Sequence, residues 1–118
     1  MLVVSRFRVP DEEAQTFRSD LESALSVLSE QVGYADGQVG RNVDDPTLWV
    51  LSIRWENVGS YRRALSSYDV KLTAVPLLSR AVDEPSAYEL VEDAAALNVA
   101  VPRSGSRSGP AASPADRD

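Results

Sequence analysis

Leu48 to Glu56 reads LWVLSIRWE, a run of aromatic, aliphatic and β-branched side chains that follows the turn-forming Asp44-Asp45-Pro46. A run of that length and composition, bounded by turn residues, forms a strand. Side chains alternate across a strand, so Trp49, Leu51, Ile53 and Trp55 form one row and Leu48, Val50, Ser52, Arg54 and Glu56 the other. The first row is wholly apolar and the second only half so. This predicts a central strand whose first row lies under helices and whose second row faces something else.

Working outward, Leu2 to Val9 (LVVSRFRV) reads as a first strand, with Val3, Phe7 and Val9 on one face around Ser5, and Leu2, Val4, Arg6 and Arg8 on the other. Pro10 ends it. Asp11, Glu12 and Glu13 then place negative charge in the first turn of a helix, where it meets the positive end of the dipole. Ala14, Phe17, Leu21, Ala24, Leu25, Leu28 and Val32 recur at helical spacing, and Gly33 closes the helix. Tyr34 to Val43 has strand length but two glycines and few apolar residues, which predicts an edge or bulged strand. Asn42, Asp44, Asp45 and Pro46 join it to the Leu48 strand as an antiparallel hairpin.

Beyond Glu56, Asn57 and Gly59 break the pattern and Ser60 is positioned to cap a helix. Tyr61, Ala64, Leu65 and Tyr68, then Leu72, Val75, Leu78 and Val82, form an apolar stripe. Pro76 demands a break or kink between Ser66 and itself, because a helix interior would lose a hydrogen bond there. Ser86 to Val91 (SAYELV) reads as a closing strand. The order β-α-β-β-α-β is the ferredoxin-like arrangement of α+β domains: a four-stranded antiparallel sheet with both helical segments on one face. The domain is expected over residues 1–92, followed by an extension over 93–102 and, from Ser, Gly, Pro and Ala content, a disordered tail over 103–118.

Composition narrows function. The chain has 118 residues, 43% hydrophobic and 25% charged, with no cysteine and no histidine. Disulfides, thiolate metal sites, histidine-ligated haem and a Ser-His-Asp device are therefore excluded, and neither cofactor nor metal is expected. A net charge of -6 argues against nucleic-acid binding. No apolar run approaches the ~20 residues of a membrane span, and the Met1 end lacks a signal-peptide core, so a cytoplasmic protein without membrane association is expected. The open sheet face would carry Leu2, Val4, Leu48 and Val50, an apolar patch that a second copy presenting the same face would cover, which predicts a homodimer.

LVVSRFRVP, GRNVDDPTLWVLSIRWEN, YRRALSSYDV and EPSAYELV, in that order from Leu2 to Val91, resemble the antibiotic biosynthesis monooxygenase (ABM) family of dimeric α/β barrels. Its members include cofactor-independent oxygenases of polycyclic aromatic polyketides, haem-degrading oxygenases and small-molecule isomerases. In the polyketide oxygenases a tryptophan, an asparagine shortly before it on the strand and a tyrosine on the following helix line a pocket. By ungapped spacing the resemblance assigns Trp55 and Tyr61 to two of these roles and puts Leu51 at the asparagine position; Arg80 is the nearest candidate for the family's pocket arginine. The haem branch's asparagine, tryptophan and histidine fall on Ser5, Ala64 and Ala74, which removes haem oxygenation with a histidine ligand.

The resemblance implies a cofactor-independent monooxygenase acting on an aromatic or polyketide-type small molecule, with Trp55 and Tyr61 catalytic and Ser5, Phe17, Leu51, Ile53 and Arg80 binding the substrate. For each residue a second reading stands beside it. Trp55 stacks on a planar substrate or fills core; Tyr61 handles a proton or rides on an amphipathic helix; Arg80 holds an anion or joins a surface ion pair. Leu51 and the lack of histidine leave open a ligand-binding or interaction dimer that keeps the fold without the chemistry.

Overall fold

The computed structural model describes residues 1–91. The extension and tail expected over 93–102 and 103–118 lie outside the described residues. Strand β1 (Leu2–Arg8) is followed by a 3-10 turn (Asp11–Glu13) that runs into helix α1 (Ala14–Ser29). The hairpin of β2 (Tyr34–Arg41) and β3 (Leu48–Trp55) comes next. Three short helices, α2 (Val58–Ser66), α3 (Tyr68–Thr73) and α4 (Val75–Leu78), precede β4 (Ala87–Tyr88). All pairings are antiparallel and the sheet order is β2-β3-β1-β4, so the LWVLSIRWE strand is central. The fold is the α+β, ferredoxin-like arrangement that the element order predicts.

Register explains where the core lies. Directly opposed residues in an antiparallel pair point to the same face. Phe7 faces Trp49, Ser5 faces Leu51 and Val3 faces Ile53, so the two apolar rows fuse into one wall. Against it pack Phe17, Leu21, Ala24 and Leu28 of α1, with Ala64, Val70, Ala74 and Leu77 from the later helices, all buried. On the opposite face Leu2, Val4, Leu48 and Val50 are half-buried and alternate across the strands with Arg54, Ser52, Arg8 and Arg6. β2 is an edge strand with a register shift between Tyr34 and Asp36, as its glycines and polar residues foretold. The hairpin turn is held by the Asn42 carboxamide oxygen, which accepts from the amides of Asp44 and Asp45 at 2.8 Å.

Four local expectations need correction. α1 stops at Ser29 instead of running to Gly33, because its last turn unwinds into tighter turns closed by Gln31 N–H on Leu28 O and Tyr34 N–H on Gln31 O. Val32 consequently leaves the apolar face and is 84% exposed. The cap of α2 is Asn57, whose side-chain oxygen accepts from the Ser60 amide; Ser60 itself is buried. The helical break falls at Ser67, inside the expected Ser66 to Pro76 span, but the extended backbone and hydroxyl of Ser67 start α3 in a new phase that the expected continuous stripe did not include. That restart rotates the apolar stripe, so Tyr68 and Leu72 are exposed while Val70, Ala74 and Leu77 are buried. Pro76 sits at the first turn of α4, where it has no hydrogen bond to lose. Last, the closing strand spans only Ala87–Tyr88, paired with Val3 and Leu2.

Gly33 joins α1 to the sheet and to α2 at once. Its φ is +92°, its carbonyl accepts from the Glu56 amide at 2.8 Å, and a Cβ there would overlap the Ser60 side chain. Gly33→Ala should therefore cost about 2 kcal/mol or more of unfolding free energy, from left-handed strain and displacement of α2. Gly40→Ala, whose Cβ would meet only Val50 Cγ1 at 3.1 Å, should cost less than about 1 kcal/mol. Urea titration of the two variants measures the contrast, and equal losses would contradict it.

Candidate functional site

The inward row of β3 ends in a cavity of about 350 Å³. Its floor is Leu51, Ile53 and Trp55 with Val3 and Ser5 of β1; Leu28 of α1, Tyr61 of α2 and Leu78 of α4 close the sides. Ala81, Val82, Asp83, Glu84 and Ser86 form the remaining wall. Those last residues belong to a strap between α4 and β4, tied to β1 where Val82 N–H donates to Arg6 O and Val4 N–H donates to Ser86 O, both at 2.7 Å.

Ser5, Leu51, Ile53, Trp55 and Tyr61 thus meet at one cavity. Ser5 brings a hydroxyl into an otherwise apolar floor because it interrupts the Val3-Phe7-Val9 row. Phe17 and Arg80 do not join them. Phe17 is packed deep at the other end of the sheet, with ring centroids 5.2 Å from Phe7 and 5.4 Å from Trp49. The Arg80 guanidinium lies 5.1 Å over the Phe17 ring and 3.8 Å from the Glu13 carboxylate, outside the cavity. Trp49 shares that packing and is core, as its place near the strand start suggests; Arg41 covers it at 5.3 Å.

Trp55 is 2% exposed and sits between two tyrosines: its ring centroid is 5.8 Å from Tyr34, near perpendicular, and 5.9 Å from Tyr61, tilted at 46°. Its indole nitrogen is buried and has no hydrogen-bond partner among the described residues. Sealed from solvent, that N–H is not available as a donor in this conformation, so Trp55 contributes ring surface rather than the hydrogen bond its chemistry would allow. Burial of Tyr61 pushes its phenol above the ordinary value, since desolvation penalises the phenolate. At neutral pH the group is a hydroxyl able to donate; it is not a base.

Sequence reasoning missed the strap. Residues 81–86 carry neither a helical nor a strand period, and only Pro85 marks them, so nothing local announces that they wall a cavity. Glu84 is fixed by a bidentate ion pair with Arg6, Nε to Oε2 and a terminal nitrogen to Oε1, each at 2.7 Å. That pair holds the Glu84 carboxyl below its ordinary range, through the hydrogen bond first and the charge second. Among the described residues no three Asp or Glu side chains converge as metal ligands would.

The described residues form a ferredoxin-like α+β fold with a cavity between sheet and helices, lined by the Tyr61 phenol and by Ser5, Ser79 and Ser86. The antibiotic biosynthesis monooxygenase family model matches residues 1–74, and the chain belongs to this family. A comparison with curated proteins finds no match. Among solved structures the fold is similar to SnoaB, a cofactor-independent oxygenase from Streptomyces nogalater, with TM-score 0.66 and 22% identity over 79% of this chain and 94% of that one. It is also similar to a conserved protein from Methanosarcina mazei Go1, with TM-score 0.60 and 24% identity over 73% and 84% of the two chains. Rv0793 from Mycobacterium tuberculosis gives TM-score 0.62 and 14% identity over 80% and 97%. At these identities the likeness establishes fold. No helix among the described residues is long and apolar enough to cross a membrane.

The raised Tyr61 phenol has a measurable sign. Above pH ~10 the unfolded chain loses this proton before the folded one does, so folding stability must fall as pH rises through the folded value. Absorbance titration of tyrosinate should show two late-ionising phenols, Tyr34 and Tyr61, of which Tyr61→Phe removes one, and the variant should lose less stability between pH 9 and 11 than the parent. Loss of amplitude from the ordinary phenol range instead of the late phase would show that Tyr61 is not desolvated.

Proposed function

We propose that this protein is a cofactor-independent monooxygenase acting on a small aromatic or polyketide-type substrate, working as a homodimer. The observation that carries the reading is the contact of Trp55 and Tyr61 at the wall of an apolar cavity, within a chain of this family. The name of the SnoaB oxygenase supports it.

In such chemistry the substrate supplies the electrons. A ring CH₂ acidified by a neighbouring carbonyl loses a proton to solvent water, and the resulting anion gives one electron to dioxygen. The substrate radical and superoxide combine to a carbon-bound peroxide; loss of water leaves C=O. Overall CH₂ and O₂ become C=O and H₂O. Leu51, Ile53, Val3 and Leu28 keep the space dry, which favours radical recombination over escape. Trp55 offers a ring face for the planar substrate. Tyr61, held protonated, donates to the oxygen on which the anion's charge accumulates and can hand its proton to the departing peroxide oxygen. Ser5 supplies a second hydroxyl on the floor.

The open sheet face favours dimerisation. Leu2, Val4, Leu48 and Val50 are half-buried there and Tyr88, paired with Leu2, is 50% exposed. A two-fold partner would cover this face while the interleaved Arg6, Arg8 and Arg54 keep contacts with Glu84, Asp45 and Asp36. A second reading, a ligand-binding dimer without turnover, is favoured by Leu51: the resemblance puts an amide at that position, whereas the side chain here is apolar, 2% exposed and part of the cavity floor.

Incubation with a panel of dihydroxyaromatic and anthrone-type compounds under ¹⁸O₂ should give one labelled oxygen per product. Trp55→Phe with Tyr61→Phe should cut the rate at least tenfold. Absence of label despite ligand binding would select the non-catalytic reading. For the assembly, light scattering at micromolar concentration should give the mass of two chains; a stable monomer would refute the sheet-to-sheet interface.

A further inference from the structure

We infer that the cavity is selective for uncharged aromatic ligands and rejects their carboxylate-bearing analogues, with Asp83 on the strap as the residue that enforces the choice; this rests on the cavity being the ligand site proposed above.

The floor is apolar apart from Ser5, the walls add the hydroxyl residues Tyr61, Ser79 and Ser86 and the carboxylates Asp83 and Glu84, and no Lys or Arg is among the described residues that line the cavity. A carboxylate taken into such a space gives up its hydration and finds no cation in return, a cost that recurs wherever a charge is buried unpaired. The two arginines best placed to help are committed elsewhere. Arg6, on the open-face row of β1, is chelated by both oxygens of Glu84. Arg80, at the end of the strap, turns to Glu13 and the face of Phe17. With Glu84 neutralised by Arg6, the remaining charge on the lining is Asp83, which is exposed.

Asp83 is also held in place. It lies between the two backbone ties of the strap, Val82 N–H to Arg6 O and Val4 N–H to Ser86 O. Because Asp83 is exposed, its repulsion of an entering anion acts through solvent from the cavity wall and is strongest at low salt. The net charge of -6 adds a field of the same sign. A phenol, ketone or quinone meets none of these penalties and can accept from Tyr61 or Ser5.

The test is binding, read from quenching of tryptophan fluorescence and checked by calorimetry on the full chain. The probes are methyl 1-hydroxy-2-naphthoate and 1-hydroxy-2-naphthoate, which share rings and hydroxyl and differ in charge. In low salt at pH 7.5 the acid should bind at least about tenfold more weakly than the ester, equivalent to about 1.4 kcal/mol. Asp83→Asn should narrow the ratio and Asp83→Lys should bring it near unity or invert it, with little change for the ester. Added salt should narrow the ratio for the parent chain. Equal binding of acid and ester, a ratio indifferent to Asp83→Lys, or no binding of either probe would overturn the inference. Discrimination without ¹⁸O incorporation would sink the oxygenase reading and leave this one standing; incorporation without discrimination would do the reverse.

Discussion

Everything in this fold depends on one wall of side chains: Trp49, Leu51, Ile53 and Trp55 on β3, continued by Phe7, Ser5 and Val3 on β1. A strand hydrogen-bonded on both edges cannot shift register without turning this whole row to the other face. The helices therefore have one surface to cover, and they cover it unevenly. Near Trp49 the wall meets Phe17 and Phe7 in tilted and edge contacts that close the space. Near Trp55 the helical cover is short, because Ser67 and Ala74 break it into pieces, and the cavity opens there. Core and pocket are two ends of the same row.

The same division separates roles that composition alone would merge. Both tryptophans are buried and both indole nitrogens lack a partner among the described residues. Trp49 packs against Phe17 under Arg41 at the edge of an open groove beside β2, whereas Trp55 lines the cavity between sheet and helices and touches Tyr61. The burial that seals the Trp55 N–H also raises the Tyr61 phenol, so the polar chemistry on this side of the cavity falls to hydroxyls that are protonated at neutral pH. Under the oxygenase reading proposed above, rate acceleration comes from placement more than from a strong base.

Much of this was legible in the sequence. Period-two alternation in LWVLSIRWE and LVVSRFRV identified the wall residue by residue, since burial of a central strand leaves no freedom about which row faces in. The glycines of Tyr34–Arg41 announced an edge strand with a bulge, and Pro76 announced a broken helix. Helix ends and phases were less readable. Val32 continues the period of α1, but a terminal turn is held by few contacts and unwound; Tyr68 and Leu72 continue the stripe of α2, but the Ser67 hydroxyl started a new helix at a different rotation. That Ser5, Leu51, Ile53, Trp55 and Tyr61 line one cavity was readable because they lie on regular elements. Arg80 takes the ion-pair reading of the two the sequence allowed, although nothing in a sequence names Glu13 and Phe17 as its partners. Asp83 and Glu84 carry no sequence signal that places them at the cavity, because a strap with no period cannot be placed until the sheet that anchors it is known.

The central claim is that the gap beside Trp55 is a ligand site rather than a packing defect. A crystal structure of the full chain soaked with 1-naphthol tests it most directly. The ring should occupy the cavity against Trp55, its oxygen within hydrogen-bond distance of the Tyr61 or Ser5 hydroxyl. A cavity that stays closed to the ring, or a naphthol bound elsewhere with this space filled by rearranged side chains, would contradict it.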